Sequence, residues 1–465
     1  MTTLDRLETT LRHTFVDFMQ MEEFLRDPLI IERAEGVYYW DIHGKRYFDA
    51  IGGIFVASLG HRHPRLVEAM KRQLEKLTFA PPLHGISGVA LEFIDRLGEV
   101  TPGTLNWVKP FSGGSEAVEA ALKFTRQYFK QTGHPGKYKV ISRYRGYHGG
   151  TMGALAATGT GARKSKFEPH MPGFLKVFPP DHYRADFPDW DDCCRFSARA
   201  FEDVIIAEDP RTVAAVIVEP ISNTGGVITP TDEYFHTLRE ACDRHRVLLI
   251  FDEVITGFGR TGSMFAAQTF GVTPDIICCG KGLSSGMIPM GAVAAREEMG
   301  EAFLGAPADE VQFMHGHTFA GNPLACAVGL AVIDEIVEKK LDQRAARIGG
   351  YLREKLEGLR KLGVVREVRG KGLFLGVELC RPDGRPFPEL GTALKKTAIA
   401  NGIILRVDPN WFAVAPALIV TESEIDEMVD LVERSLRAAL EIATESLPPV
   451  ASAPGGSRRT LPRTA

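Results

Sequence analysis

Short, wholly apolar runs punctuate the middle of the chain, and between them apolar residues recur at helical spacing. Val213-Ala214-Ala215-Val216-Ile217-Val218, Val247-Leu248-Leu249-Ile250-Phe251 and Ile276-Ile277-Cys278-Cys279 have strand length and no polar alternation, as strands buried in an open α/β sheet do. Upstream, residues 37–41 and 45–49 flank Ile42-His43-Gly44 and predict a β-hairpin. Leu4, Leu7, Leu11, Phe15, Phe18 and Met19 predict an amphipathic helix over residues 3–26, ending before Pro28, with an apolar face suited to a subunit contact. Further helices are expected over residues 63–77, 88–99, 323–359 and 422–444, and another opens at Phe111-Ser112-Gly113-Gly114-Ser115-Glu116-Ala117, with Val118, Leu122, Tyr128 and Phe129 on its inner face. Phe79-Ala80-Pro81-Pro82-Leu83-His84 is too rich in proline for regular structure and reads as a pocket loop. Beyond residue 325, strands with helices beside them predict a smaller α+β domain. The expected division is an N-terminal segment over 1–60 joining that domain and a subunit interface, a large domain over 61–325, the small domain over 326–446, and a disordered tail over 447–465, where Pro, Ala, Ser, Gly and Arg dominate.

Composition narrows the partner. At 465 residues the chain can bury a large core, and 44% apolar with 25% charged residues is ordinary for a globular enzyme. A net charge of −4 without a basic tract argues against nucleic acid and for a small molecule. No run is long enough to span a membrane and the first residues form no secretory signal, so a cytoplasmic location is expected. The 7 cysteines show no C-x-x-C spacing and read as reduced packing residues, not a zinc site or a disulfide frame.

The candidate chemistry sits where the apolar runs end. Asp252 closes one run, Lys281 follows another between two glycines, and Glu219-Pro220 closes a third. Strand ends form the ligand-binding edge of an open α/β sheet, and an acid and an amine delivered there can grip one small heterocycle. Pyridoxal phosphate needs that pair: a lysine to hold its aldehyde as a Schiff base, and a carboxylate to keep its ring nitrogen protonated. Gly113-Gly114-Ser115 at a helix start offers backbone N–H groups and a hydroxyl to a phosphate. Gly159-Thr160-Gly161-Ala162-Arg163-Lys164-Ser165 lacks the spacing of a nucleotide-binding loop and is rejected as one.

Together these motifs resemble the class III aminotransferases over about residues 36–440, from Ser112-Gly113-Gly114-Ser115-Glu116-Ala117 and Tyr147-His148-Gly149 through Phe251-Asp252-Glu253-Val254 and Gly280-Lys281-Gly282 to His315-Gly316-His317-Thr318. The resemblance implies an α/β fold, the pyridoxal-phosphate transferase fold type I, with a large domain on a mainly parallel seven-stranded sheet plus the smaller α+β domain. It also implies Lys281 and Asp252 as catalytic groups, Gly114 and Ser115 at the phosphate, Tyr147 against the ring, and His148, Glu219 and Val254 among the cofactor contacts. Thr318 is expected to reach the phosphate of a neighbouring subunit, which makes the working unit a homodimer or a dimer of dimers. Lys371 also lies in Gly-Lys-Gly, but no Asp-bearing strand precedes it. Relatives often continue Glu-Pro with Val-Gln-Gly; this chain has Ile221-Ser222-Asn223.

The resemblance implies a ping-pong transaminase. Ornithine- and 4-aminobutyrate-type relatives bind a substrate carboxylate with an arginine and neutralise it with a glutamate; here those positions are Ala413 and Thr224. Arg406 stands where amine:pyruvate relatives carry a mobile arginine, so Arg406, Thr224 and Phe55 are the expected substrate contacts, Phe55 alternatively being a core residue. The preferred reading is an ω-amine or amino acid as donor, with pyruvate or a similar small keto acid as acceptor. A 2-oxoglutarate-dependent enzyme, a decarboxylase or aminomutase on the same fold, and a non-catalytic cofactor binder are the alternatives.

Overall fold

The structure is a computed structural model describing residues 9–445; the expected tail at 447–465 and the first turns of the expected N-terminal helix lie outside the described residues. Near the N-terminus, β1 (Ile31–Glu35), β2 (Tyr38–Asp41) and β3 (Arg46–Asp49) run antiparallel. The predicted hairpin is present, its turn tied by the backbone N–H groups of His43 and Lys45 donating to Asp41 Oδ1.

The large sheet has seven strands: β4 (Trp107–Phe111), β5 (Lys139–Arg143), β6 (Phe174–Val177), β7 (Val213–Val218), β8 (Leu248–Asp252), β9 (Ile276–Cys279) and β10 (Gly291–Ala295), in the order β4-β10-β9-β8-β7-β5-β6. Only β10 is reversed; it lies antiparallel to both β4 and β9. The continuous apolar runs follow from burial on both faces. Along β8, Leu249 and Phe251 enter one core with Tyr234, Phe235 and Leu238 of the helix Asp232–Arg244. Ile250 enters the opposite core with Ala117, Val118 and Ala121 of the helix Gly114–Gln131.

A second sheet gathers β11 (Val365–Lys371), β12 (Phe374–Leu379), β14 (Arg406–Asp408) and β15 (Trp411–Val414) in the antiparallel order β11-β12-β15-β14. The two-residue strand β13 (Ile403–Ile404) instead adds to β3 in parallel, stitching the hairpin to the C-terminal part of the chain.

Two helix expectations are corrected. The stretch 323–359 is two helices, Pro323–Lys339 and Leu341–Glu357, broken where Lys340 takes a φ of 48°. The helix expected over 3–26 does not continue through residues 12–20. Phe18 adopts a φ of 60°, Phe15 is 90% exposed, and helix resumes only for Met21–Phe24. An amphipathic stripe with nothing to bury against does not repay the cost of nucleating a helix.

Candidate functional site

The C-terminal ends of the parallel strands converge on one pocket, and the polar groups closing the apolar runs line it. Gly114, Ser115, Tyr147, Val254 and Ile255 line it, and His148, Glu219, Asp252 and Lys281 supply its ionisable groups. Gly149, Ile221 and Ile255 were not anticipated; adjacency to Tyr147-His148, to Glu219-Pro220 and to Val254 was the available signal.

Asp252 ends β8 opposite Cys278 of β9. Its Oδ2 lies 2.8 Å from His148 Nδ1, and its Oδ1 accepts the Val254 N–H at 3.2 Å. His148, buried and held through its backbone N–H by Thr158 Oγ1, thus orients the carboxylate. The chain leaves β9 through Gly280 and turns at Lys281, where a φ of 43° marks a constrained non-glycine position. Ser58 Oγ donates to the Gly282 carbonyl, and the Leu59 N–H donates to Ser285 Oγ, pinning that turn. Desolvation lowers the Lys281 pKa, opposed by the charges of Asp252 and Glu219.

Glu219 Oε1 accepts from the Tyr147 N–H at 3.0 Å and from Ser222 Oγ at 2.9 Å, and Oε2 accepts from the Asn223 N–H. Its carboxyl pKa is raised, first by burial and also by Asp252, while His148 and Arg143 act the other way. Burial likewise raises the Tyr147 phenol. Ser222 and Asn223, where relatives read Gln-Gly, therefore hold the glutamate.

These residues fit pyridoxal phosphate. A Cβ at Gly114 would come within 2.9 Å of Val254 Cγ1, so a glycine is needed for this wall to close on the helix start. The same helix begins with free backbone N–H groups and Ser115, an anion seat. Acid and amine line the same cavity.

Other expected residues lie elsewhere. Phe55 is not among the residues lining this pocket: it is 2% exposed, with its ring 5.6 Å from that of Phe374, and the kink at Gly53 and Ile54 leaves Ile54 outward and Phe55 inward. Thr224 donates to the Arg145 carbonyl at 2.8 Å and meets Thr160 Oγ1 at 3.3 Å. Arg406 lies on β14, outside the lining, its Nε and Nη2 on Asp408 Oδ2 at 2.9 and 2.8 Å. Thr318 is exposed on the loop before the helix Pro323–Lys339.

The sequence profile described as "Aminotransferase class-III" matches residues 21–436. The chain belongs to the class III aminotransferases. The aminotransferase is 40% identical to a probable aminotransferase of Mycobacterium tuberculosis, over 93% of each chain. It is 34% identical to the omega-amino acid–pyruvate aminotransferase of Pseudomonas putida, over 90% of this chain and 94% of that one. Its fold superposes with a TM-score of 0.89 on the omega transaminase of Pseudomonas jessenii in complex with PMP, at 34% identity, covering 94% of this chain and 99% of that one. The aminotransferase is thus a pyridoxal-phosphate-dependent transaminase of the expected fold, with a mostly parallel seven-stranded sheet and a smaller sheet beside it. Among the described residues no helix is long and apolar enough to cross a membrane.

Proposed function

We propose that this transaminase carries an amino group from an ω-amine donor to pyruvate or a similarly small keto acid, as a homodimer or dimer of dimers in the cytoplasm, with Lys281 and Asp252 as its catalytic groups. The observation that carries the reading is the convergence of the Lys281 amine and the His148-oriented Asp252 carboxylate on one pocket at the strand ends. When bound, the cofactor supplies an electron sink for the carbon that bears the amine and a temporary carrier for the amino group. Lys281 Nζ takes the proton from that carbon and returns it on the cofactor side, work suited to an amine whose pKa is held low. Asp252 balances positive charge on the ring nitrogen, and His148 keeps its carboxylate aimed there. Gly114, Ser115 and the helix start hold the phosphate, with Thr318 added from a neighbouring subunit. Tyr147 and Val254 flank the ring, and Glu219 sits beside them.

The acceptor follows from what is missing. Buried Ala413 on β15 and Thr224, tied to Arg145, leave no arginine–glutamate switch at the positions other relatives use. Arg406 is the register partner of Ala413, one strand away, and can bind a carboxylate in bidentate fashion after releasing Asp408. The Pseudomonas putida relative, named for pyruvate, supports the choice. The buried thiols of Cys194, Cys242, Cys278, Cys279, Cys326 and Cys380 support a reducing compartment.

The test is a panel of amines against pyruvate and 2-oxoglutarate, followed by Arg406→Ala. Alanine should form from pyruvate faster than glutamate forms from 2-oxoglutarate, and Arg406→Ala should raise the KM for pyruvate far more than that for an acid-free amine. A preference for 2-oxoglutarate, or a uniform loss in both half-reactions, counts against the reading. Carbon dioxide release without amino transfer would make the protein a decarboxylase.

A further inference from the structure

The segment rejected as a nucleotide loop contains Arg163, and its surroundings are those of a ligand-binding residue. Arg163 lies in the short helix Gly161–Lys164. The preceding residue pair is moored to the pocket's wall: Thr160 Oγ1 donates to the Gly146 carbonyl at 3.1 Å and touches Thr224 Oγ1, which itself holds the Arg145 carbonyl. Arg163 is thereby fixed against the loop that delivers Tyr147.

Its guanidinium is half committed. The Phe18 ring stacks on one face, with Cζ 3.5 Å from the ring centroid, and the backbone of Phe18 takes its left-handed conformation there. Stacking uses the face of the guanidinium and leaves the in-plane N–H edge for an acceptor. On that edge Nη1 is buried and has no hydrogen-bond partner. A buried guanidinium N–H without an acceptor is costly, and native structures rarely leave one.

A second arginine lies within electrostatic reach. The charge of Arg406 is felt at Arg163 and, after burial, is the main influence lowering its pKa, with Tyr147 and Asp408 opposing. Asp408 is already engaged by Arg406. Asp408 is paired with Arg406 and acts on Arg163 only through its charge, and at position 224 the chain offers a threonine to this neighbourhood.

We propose that Arg163 binds the acid group of the amino donor, and that with Arg406 it gives the site a two-arginine seat for a carboxylate or sulfonate carried at the end of the molecule opposite the amine. The proposal rests on the transaminase reading and deepens it. The donor's amine reaches Lys281, and its acid end lies beyond Tyr147 at Arg163, under the cover of Phe18. Arg406 serves the keto acid in one half-reaction and joins Arg163 in the other.

The experiment uses the cofactor-loaded enzyme and the variants R163M and R163K, with pyruvate as acceptor. The donors are β-alanine, 2-aminoethanesulfonate and the acid-free n-butylamine. R163M should lower the ratio of kcat/KM for the preferred acidic donor to that for butylamine by about 10- to 100-fold, the loss of a hydrogen-bonded charge contact. R163K should recover part of it. Comparing the carboxylate and sulfonate donors shows which acid the seat prefers. Calorimetric binding of the unreactive 3-hydroxypropanoate and 2-hydroxyethanesulfonate should weaken in R163M in the same order, at unchanged visible absorbance of the bound cofactor. Unchanged ratios and affinities overturn the proposal. An equal loss for all three donors, or loss of the cofactor in both variants, makes Arg163 a structural support and also overturns it. If the unmodified enzyme moves no amino group to pyruvate from any donor, the broader reading fails, and the calorimetric comparison still decides the role of Arg163.

Discussion

The surroundings of Lys281 and Asp252 suit the roles proposed for them. Desolvation holds the Lys281 pKa below the ordinary lysine range, which raises the share of free amine at neutral pH. Lys281→Ala should abolish turnover and remove the visible absorbance of the lysine-linked cofactor. Lys371→Ala should leave both in place, because Lys371 lies on β11, 3.5 Å from Asp232 and stacked at 4.9 Å on Phe270. The opposite result would move the cofactor to Lys371. Asp252→Asn keeps an oxygen for the His148 contact and removes the charge. Thermal unfolding should hardly change while kcat falls roughly 10- to 150-fold, the worth of one charge-assisted hydrogen bond; near-normal turnover would show that ring-nitrogen charge is supplied elsewhere. These two residues were legible in the sequence because each ends an apolar run. Arg163 was not, since its meaning depends on Phe18, Tyr147 and Arg406, all distant along the chain.

The reversed strand β10 packs its first residue against the turn that precedes the helix Gly114–Gln131. A Cβ on Gly291 would stand 2.3 Å from the Gly113 carbonyl oxygen and 3.2 Å from that of Cys279, and backbone cannot step aside as a side chain can. Gly291→Ala should therefore destabilise the fold by about 1–3 kcal/mol in urea unfolding and also weaken cofactor retention, since Gly113 caps the helix that opens with Gly114. Unaltered stability and cofactor content would mean that the strand shifts freely at this point. Helices with a buried face were found from periodicity, as with Pro64–Lys76, Gly88–Val100 and Glu422–Glu445, although the break at Lys340 within 323–359 was missed. Those without one were not: the stripe through Phe15, Phe18 and Met19 stays exposed in the single chain, and its helix is interrupted.

At the scale of the whole molecule, the loop bearing Thr318 lies beside the proline-rich loop, with Phe319 and Phe79 rings 6.3 Å apart and Asn322 donating to the Thr78 carbonyl. Leu83, Ile86, Met314 and Phe319 are exposed around them, an apolar surface larger than scattered single residues produce. Sedimentation should find a dimer or larger at assay concentration. Leu83→Asp should drive it toward monomer with a loss of activity, and Thr318→Ala should weaken cofactor retention without altering assembly. A fully active monomer would rule out a site shared between subunits.

The sequence alone determined the sheet-forming runs, the order of the polar residues that close them, and hence the chemistry at the strand ends. Burial on both faces forces an apolar run, and a strand that ends at the ligand edge must present its next polar residue there. Only the tertiary structure decided that Phe55 turns into the core against Phe374, that His148 belongs to Asp252, that Ser222 and Asn223 hold Glu219, and that Arg163 is left with a buried, unpartnered N–H. Each of these is a contact between groups whose mutual positions depend on how strands, kinks and loops pack, and no local pattern of apolar and polar residues encodes such a contact.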